Sequence, residues 1–290
     1  MMAIIIDGKA IAARVREDAG LCTQKLKSRG ITPCLAVILV GDNPASVSYV
    51  TGKEKALAEA GMDGRDLRLP AATSEAELLA HIAKMNDDDT VHGILVQLPL
   101  PPHINEDRII QAISPKKDVD GFHPVSVGNM VLGRPGFLPC TPNGIVYLLK
   151  EMKIKTAGAH AVILGRSNIV GKPLANLLIR RDVNATVTIC HTGTPDFSVY
   201  TKQADILIAA AGKPGLVSAG MVKPGAAVID VGVNRVPDAS KKSGFILRGD
   251  VDYDAVEKTA GWITPVPGGV GPMTIAMLMR NVVEAAGNTV

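Results

Sequence analysis

The stretch AVILGRSNIVGKP, Ala161–Pro173, decides the reading of the fold. Ala161–Leu164 is a short apolar run of strand type, Gly165 and Gly171 bracket a turn, and Val170–Arg180 has the pattern of a helix. Glycines allow a tight turn and close backbone approach. A helix N-terminus after such a turn presents N–H groups to an anion such as a pyrophosphate. The segment is not G-x-G-x-x-G, since only Gly165 and Gly171 are present. Taken alone it therefore reads equally as a plain strand-to-helix turn. Its surroundings favour the first reading. Ala185–Cys190, Ala204–Ala210 and Ala226–Val231 are further short apolar runs, and strands feeding helices at this spacing build a doubly wound parallel sheet.

Upstream, the alternation continues with different content. Cys34–Val40 (CLAVILV) is a continuous apolar run, expected as a buried parallel strand. Asn43-Pro44 caps a helix expected over Pro44–Ala60, which Gly61 stops. Asp66–Leu69 is a short candidate strand and Ser74–Met85 a helix. Val91–Leu98 is a strand ended by Pro99, Pro101 and Pro102, which cannot continue a ladder. Glu106–Ile113 is a helix, and the loop Lys117–Gly121 closes this half. Thr141-Pro142 opens a bridging helix, Asn143–Met152. The last helix, Met273–Ala286, has one strongly apolar face and is expected to pack back on the first domain. The expected division is one domain from residues 1–140 plus 273–290 and a second from 141–272.

Composition agrees with two α/β domains. A chain of 290 residues exceeds one typical core, and 47% hydrophobic content with 3% aromatics demands aliphatic interiors. Net charge is +3, with no long basic run interleaved with aromatics, so a nucleic-acid partner is not expected. The four cysteines are far apart and form no CxxC, so neither a metal site nor a disulfide framework is expected. No apolar stretch reaches spanning length, and Ala3–Ile6 is too short for a signal core, which points to a cytoplasmic protein without a membrane partner.

Charge also bears on the dinucleotide. NAD sites commonly end the second strand with a carboxylate that accepts from the ribose. Here the strand runs into His191-Thr192. Arg166 in the glycine turn and Thr192 suit an additional ribose phosphate, which favours NADP; a plain surface arginine is the alternative. In the first half, Tyr49 and Lys53 are four apart on one predicted helix and share a face. A phenol beside an ammonium can orient a polar substrate and move protons, although most such pairs are ordinary helix surface. Gly52 between them costs about 1 kcal/mol in a helix relative to alanine and suggests close approach of a segment or ligand. Gln97 ends a buried strand, where open α/β sheets place ligands. Asp118 and Asp120 sit in a glycine loop as turn formers, or as a carboxylate for two parallel N–H donors. Tyr-x-x-x-Lys also marks short-chain dehydrogenases, but there the glycine turn precedes the pair, and here Tyr49 precedes Gly165.

Together these segments resemble the bifunctional methylenetetrahydrofolate dehydrogenase/methenyltetrahydrofolate cyclohydrolase family. The resemblance runs through Ile6–Lys9, GDNPAS (Gly41–Ser46), YVTGKEKA (Tyr49–Ala56), GILVQLPLP (Gly93–Pro101) and KDVDGFHP (Lys117–Pro124). It continues through PCTPNGI (Pro139–Ile145), GRSNIVGKP (Gly165–Pro173), IDVGVNR (Ile229–Arg235) and TPVPGGVGPMT (Thr264–Thr274). It implies an α/β fold of two domains around a cleft: an N-terminal α/β substrate domain and a Rossmann-like doubly wound parallel-sheet NADP domain. Lys53 would be the catalytic lysine, with Tyr49 stacking on or orienting the folate. Gln97 would tune Lys53, and Asp120 would anchor the pterin. The backbone of Val96, Gln97 and Leu98 would line the folate site with Pro267, Gly268, Gly269, Val270 and Gly271. Gly165, Arg166, Ser167, Thr192 and Val233 would contact NADP. No metal is implied. Tetrahydrofolate one-carbon derivatives would be the substrates and a homodimer the assembly. Competing readings are a monofunctional dehydrogenase, against which Lys53 and Gln97 stand together, and a dinucleotide-sensing binding protein, which has no need of Tyr49, Lys53, Gln97 and Asp120.

Overall fold

The elements follow in the order β1 (Ile4–Ile5), α1 (Gly8–Lys27), β2 (Cys34–Val40), α2 (Pro44–Glu59), β3 (Asp63–Leu69), α3 (Glu75–Asn86), β4 (Gly93–Val96), α4 (Glu106–Ala112), α5 (Pro124–Leu132) and α6 (Cys140–Glu151). Then come β5 (His160–Leu164), α7 (Gly171–Leu178), β6 (Thr186–Cys190), α8 (Ser198–Thr201), β7 (Ile206–Ala209), β8 (Ala227–Asp230), β9 (Asn234–Pro237), β10 (Phe245–Arg248), α9 (Tyr253–Val256), β11 (Trp262–Ile263) and α10 (Val270–Gly287). The structure, a computed structural model, describes residues 2–241 and 244–288. The chain divides into two units: one holds residues 13–140 and the chain from Ile275 on, the other the segment up to Ala12 and Thr141–Thr274.

The 13–140 unit is built on a parallel sheet of order β3-β2-β4. All seven residues of β2 are buried, which accounts for the unbroken apolar run CLAVILV. β3 is longer than Asp66–Leu69 because Cys34 already pairs with Asp63. Its charges conceal it in sequence: this edge strand carries ion pairs of Arg65 with Asp88 and of Arg68 with Asp66 and Glu54. β4 is shorter than the expected Val91–Leu98. Val91 is held in a turn by Asp88 O, and its neighbour His92 takes the Cys34 N–H on its ring. Helix α3 starts where expected, with Ser74 Oγ accepting from Glu77 N at 3.2 Å.

Two helices of this unit have no counterpart in the sequence reading. In α1 the buried residues Ile11, Val15, Ala19 and Leu26 keep a helical spacing. Helix α5 is short and exposes Val125, Val131 and Leu132, so its apolar pattern lacks contrast; its ends are nonetheless defined, by the His123 ring accepting from Val125 N and by Gly133. Residues from Ile275 on belong to this unit, as the apolar face of the last helix suggested.

The other unit carries a six-stranded parallel sheet of order β1-β11-β8-β7-β5-β6. β5 lies between β6, which follows it, and β7, so the strand order reverses beside β5. The two-residue strand β1 pairs with β11, Ile6 N donates to Ile263 O and Lys9 N to Gly268 O. Residues up to Ala12 therefore belong here, a correction to the expected 1–140 domain whose origin is strand pairing invisible to local pattern. The antiparallel pair β9–β10 was likewise not expected. Helix α6 begins at Cys140, three residues before the expected Asn143, and α10 at Val270, three before Met273. Among the described residues no helix is long and apolar enough to cross a membrane.

Candidate active site

Lys53 and Tyr49 lie one turn apart on α2, as the spacing requires. Their environments differ sharply: Tyr49 is 42% exposed, whereas Lys53 is only 7% exposed. A buried ammonium needs partners. Lys53 Nζ donates to Gln97 Oε1 at 2.9 Å, and Gln97 Nε2 donates to Leu98 O at 2.7 Å. Gln97 is fixed in turn by its backbone, whose N–H donates to Ile38 O just beyond the last β2–β4 pair. The strand-end glutamine thus finds the specific polar partner that its burial demands, and that partner is Lys53.

The second neighbour of Lys53 is Asp120. Burial pushes the Lys53 amine below its usual range, and the charge of Asp120, with a smaller contribution from Cys140, works against that fall. Burial likewise raises the Asp120 carboxyl, opposed by the Lys53 charge and, less, by the neighbouring Cys140 thiol. The Cys140 thiol is pushed well above its usual range, chiefly by burial. Lys53, Gln97, Asp120 and Cys140 therefore form one cluster within the 13–140 unit. Cys140, the first residue of α6, was not singled out in sequence; one cysteine beside two prolines carries no signal of its own.

The two aspartates of the KDVDG loop separate cleanly. Asp118 is buried and accepts from Phe122 N (3.2 Å), His123 N (2.9 Å) and Ser126 Oγ (2.6 Å). It is the turn former, and burial pushes its carboxyl up to about 6 despite those donors. The loop is anchored at its start by Lys117, whose Nζ donates to the carbonyls of Met85, Asn86 and Asp88 at the end of α3. It is closed by Gly121, with φ +75°, where a Cβ would lie 2.6 Å from Pro139 N. Gly52 has a milder setting: a Cβ there would meet only Ile275 Cδ1 at 3.5 Å, an ordinary contact. Within the chain, the close approach suggested for it does not occur.

In the other unit, the glycine turn follows β5. Gly165 has φ +126°, and a Cβ there would fall 2.1 Å from Ala210 O, beyond the end of β7. No other residue fits, and the turn sits where the strand order reverses. One expectation is corrected. The first N–H groups of α7 are not free: Ser167 Oγ accepts from Val170 N and Gly171 N, and Ser167 O accepts from Lys172 N. Ser167 is a helix cap, so the helix start offers an anion less than the turn alone suggested.

The neighbouring strand ends suit a phosphate in another way. Leu164 pairs with Cys190, and Arg166 and Thr192 each stand two residues beyond that pair, both exposed. A guanidinium and a hydroxyl thus leave adjacent strand ends, with His191 and no carboxylate beside them. Val233 is 43% exposed and follows a tightly tied segment. There Asp230 accepts from the N–H groups of Gly232, Asp250 and Val251, while Asp250 accepts from those of Ala211 and Gly212. Burial raises Asp230 to about 6 against its three donors. Pro267 and Gly268 precede α10, whose first residues include Val270 and Gly271. A cavity of about 820 Å³ beside β9–β10, lined by Val236, Ile246 and Arg248 among others, contains none of the expected site residues. Among the described residues no group of three or more His, Cys, Asp or Glu is arranged to hold a metal ion.

Residues 6–120 match the model of the tetrahydrofolate dehydrogenase/cyclohydrolase catalytic domain, and residues 139–290 match that of the tetrahydrofolate dehydrogenase/cyclohydrolase NAD(P)-binding domain. The chain is 57% identical over 285 residues to a bifunctional protein FolD of Exiguobacterium sibiricum, covering 98% of this chain and 100% of that one. Among solved structures it resembles the bifunctional FolD enzyme of Campylobacter jejuni, with TM-score 0.94, 52% identity and coverage of 99% and 100%. It also resembles the Trypanosoma brucei FolD complexed with NADP and an inhibitor, with TM-score 0.96, 39% identity and coverage of 99% and 98%. From the first apolar strand to the last helix, this chain belongs to the tetrahydrofolate dehydrogenase/cyclohydrolase family.

Proposed function

We propose that the protein is a bifunctional folate enzyme, oxidising 5,10-methylenetetrahydrofolate with NADP and hydrolysing the methenyl product to 10-formyltetrahydrofolate. The observation that carries this reading is the buried Lys53 amine bonded to Gln97 and facing Asp120. Loss of hydride from the methylene carbon leaves a cation that the adjacent nitrogens stabilise, so positioning is the main task of the first step. NADP, when bound, would supply the hydride acceptor. Arg166 and Thr192 would hold its ribose phosphate, and the turn Gly165–Ser167 and Val233 would orient it. Asp120 anchors the pterin ring through parallel N–H donors, and Tyr49, the exposed member of the helix pair, orients the folate from α2. The backbone of Val96–Leu98 and of Pro267–Gly271 completes the folate contacts.

In the second step water adds its oxygen to the cationic methenyl carbon. Two protons leave that oxygen as the carbon becomes a formyl group. One proton goes to the ring nitrogen whose bond to carbon breaks, and one is released. A base active near neutral pH is needed, and an amine lowered by burial supplies it. The cationic substrate would lower it further. A monofunctional dehydrogenase has no use for this amine, and a nucleotide sensor has no use for the cluster at all.

We further propose that the protein works in the cytoplasm as a homodimer. The outer edge of β6, which among the described residues pairs only with β5 and carries exposed Ile189, suits antiparallel pairing with a second copy; sedimentation as a monomer at working concentration would contradict this. The activity itself is tested spectrophotometrically with methylenetetrahydrofolate and either NADP or NAD. Methenyl formation and its subsequent decay are expected, with kcat/KM higher for NADP and the NADP advantage lost in Arg166→Ala. No turnover with either nucleotide would refute the enzyme reading.

A further inference from the structure

Helix α10 is almost wholly apolar where it is buried, from Met273 through Met277, Leu278 and Met279 to Val282 and Ala286. Asn281 interrupts that face and is 5% exposed. A buried amide at a core position is costly unless its donors are used. Here they are. Nδ2 lies 2.8 Å from Val119 O and 3.2 Å from Leu138 O, and 3.6 Å from the Cys140 sulfur. Cys140 Sγ itself donates to Val119 O at 3.3 Å.

Those acceptors are not scattered. Val119 is the residue before Asp120, and Cys140 belongs to the cluster around the Asp120 carboxyl. Leu138 and Pro139 form the backbone against which Gly121 is packed. One side chain, 162 positions from Val119, thus ties the residue before Asp120 and the backbone packed behind Gly121 to the last helix. A helix held only by apolar packing needs none of this, and leucine would fill the same space.

We propose that Asn281 is a positioning residue of the reaction, holding the Val119–Gly121 loop and Cys140 so that Asp120 faces Lys53. It touches neither folate nor cofactor and acts through the loop. The inference rests on the site reading above, in which Lys53 and Asp120 act on the folate. Misplacing a reacting constellation by a fraction of an ångström to one ångström lowers turnover by about tenfold or more. Asn281→Leu, which has no donors, should therefore lose about tenfold or more in kcat per folded molecule in both reactions. Its KM for methylenetetrahydrofolate should rise, and its affinity for NADP alone should be parental.

The experiment compares Asn281→Leu, Asn281→Ser and Asp120→Asn. Folded fraction is taken from thermal melts, NADP affinity from direct titration, and kinetics from both reactions across pH. Serine, whose single hydroxyl is too short to reach both carbonyls, also removes the tie and keeps the test open should the leucine variant fail to fold. The groups facing Lys53 are Asp120 and Cys140, with Asp118 behind in the loop. If Asp120 is displaced, Lys53 loses its supporting charge and the acid limb of cyclohydrolase kcat moves to lower pH, a change that lost stability alone would not cause. Parental kcat, folate KM and pH limb in a folded Asn281 variant, beside an impaired Asp120→Asn, would overturn the inference and leave the site reading standing. Parental kinetics in Asp120→Asn would overturn both.

Discussion

At Lys53 two opposed effects meet on one atom. Burial favours the neutral amine and the Asp120 charge favours the ammonium; the balance falls on the low side. A base held below its usual range is present in its active form over more of the neutral region, so cyclohydrolase activity should rise with pH and level off once the amine is deprotonated. The sign of a substitution follows. Removing the negative charge in Asp120→Asn withdraws the support that raises the amine, so the rising limb of log kcat against pH should shift to lower pH. A shift to higher pH would contradict the arrangement. At this scale the sequence was partly informative. Tyr49, Lys53 and Gln97 could be singled out because spacing and strand position gave each a physical reason. Local pattern did not separate Asp118 from Asp120, which only the family resemblance distinguished, because their difference lies in which backbone N–H groups each carboxylate meets.

Elements set those meetings. The KDVDG loop is shaped by Asp118, anchored by Lys117 on the end of α3 and closed by Gly121. Two glycines in this unit should respond to alanine in opposite directions. Gly121→Ala places a methyl on Pro139 and Leu138 at positive φ, and should cost about 2–4 kcal/mol in urea unfolding with loss of both activities. Gly52→Ala meets only the tip of Ile275 and should gain about 1 kcal/mol by helix propensity. Equal effects from the two would show that the loop is not under the constraint described. The elements readable from sequence were those with a strong apolar signal, such as β2, β5 and β7. The charged edge strand β3 is longer than its apolar part, and α5 lacks a clear apolar face because Val125, Val131 and Leu132 are exposed beside the buried Met130. The start of α7 offers a pyrophosphate less than its glycines imply, because a serine within the turn, Ser167, takes the helix-terminal N–H groups.

For the whole molecule, the division into two units follows chain order apart from the first twelve residues and the segment that begins at Ile275. The first residues join the sheet of the later unit through β1 and β11, pairing that connects the first strand to one near residue 262 and leaves no local trace. The unit with the six-stranded sheet supplies the strand ends and turn suited to a dinucleotide, and the unit with the three-stranded sheet supplies the amine. On the proposed reading, oxidation needs both sets of groups, whereas hydrolysis of the methenyl cation needs the amine above all. Replacing Lys53 by methionine keeps its length and packing and removes only the titrating nitrogen. The decisive measurement is the rate of methenyltetrahydrofolate hydrolysis by folded Lys53→Met, with folding checked by its melt and by NADP binding. Hydrolysis should disappear while the fold and nucleotide affinity remain; parental hydrolysis in that variant would contradict the account.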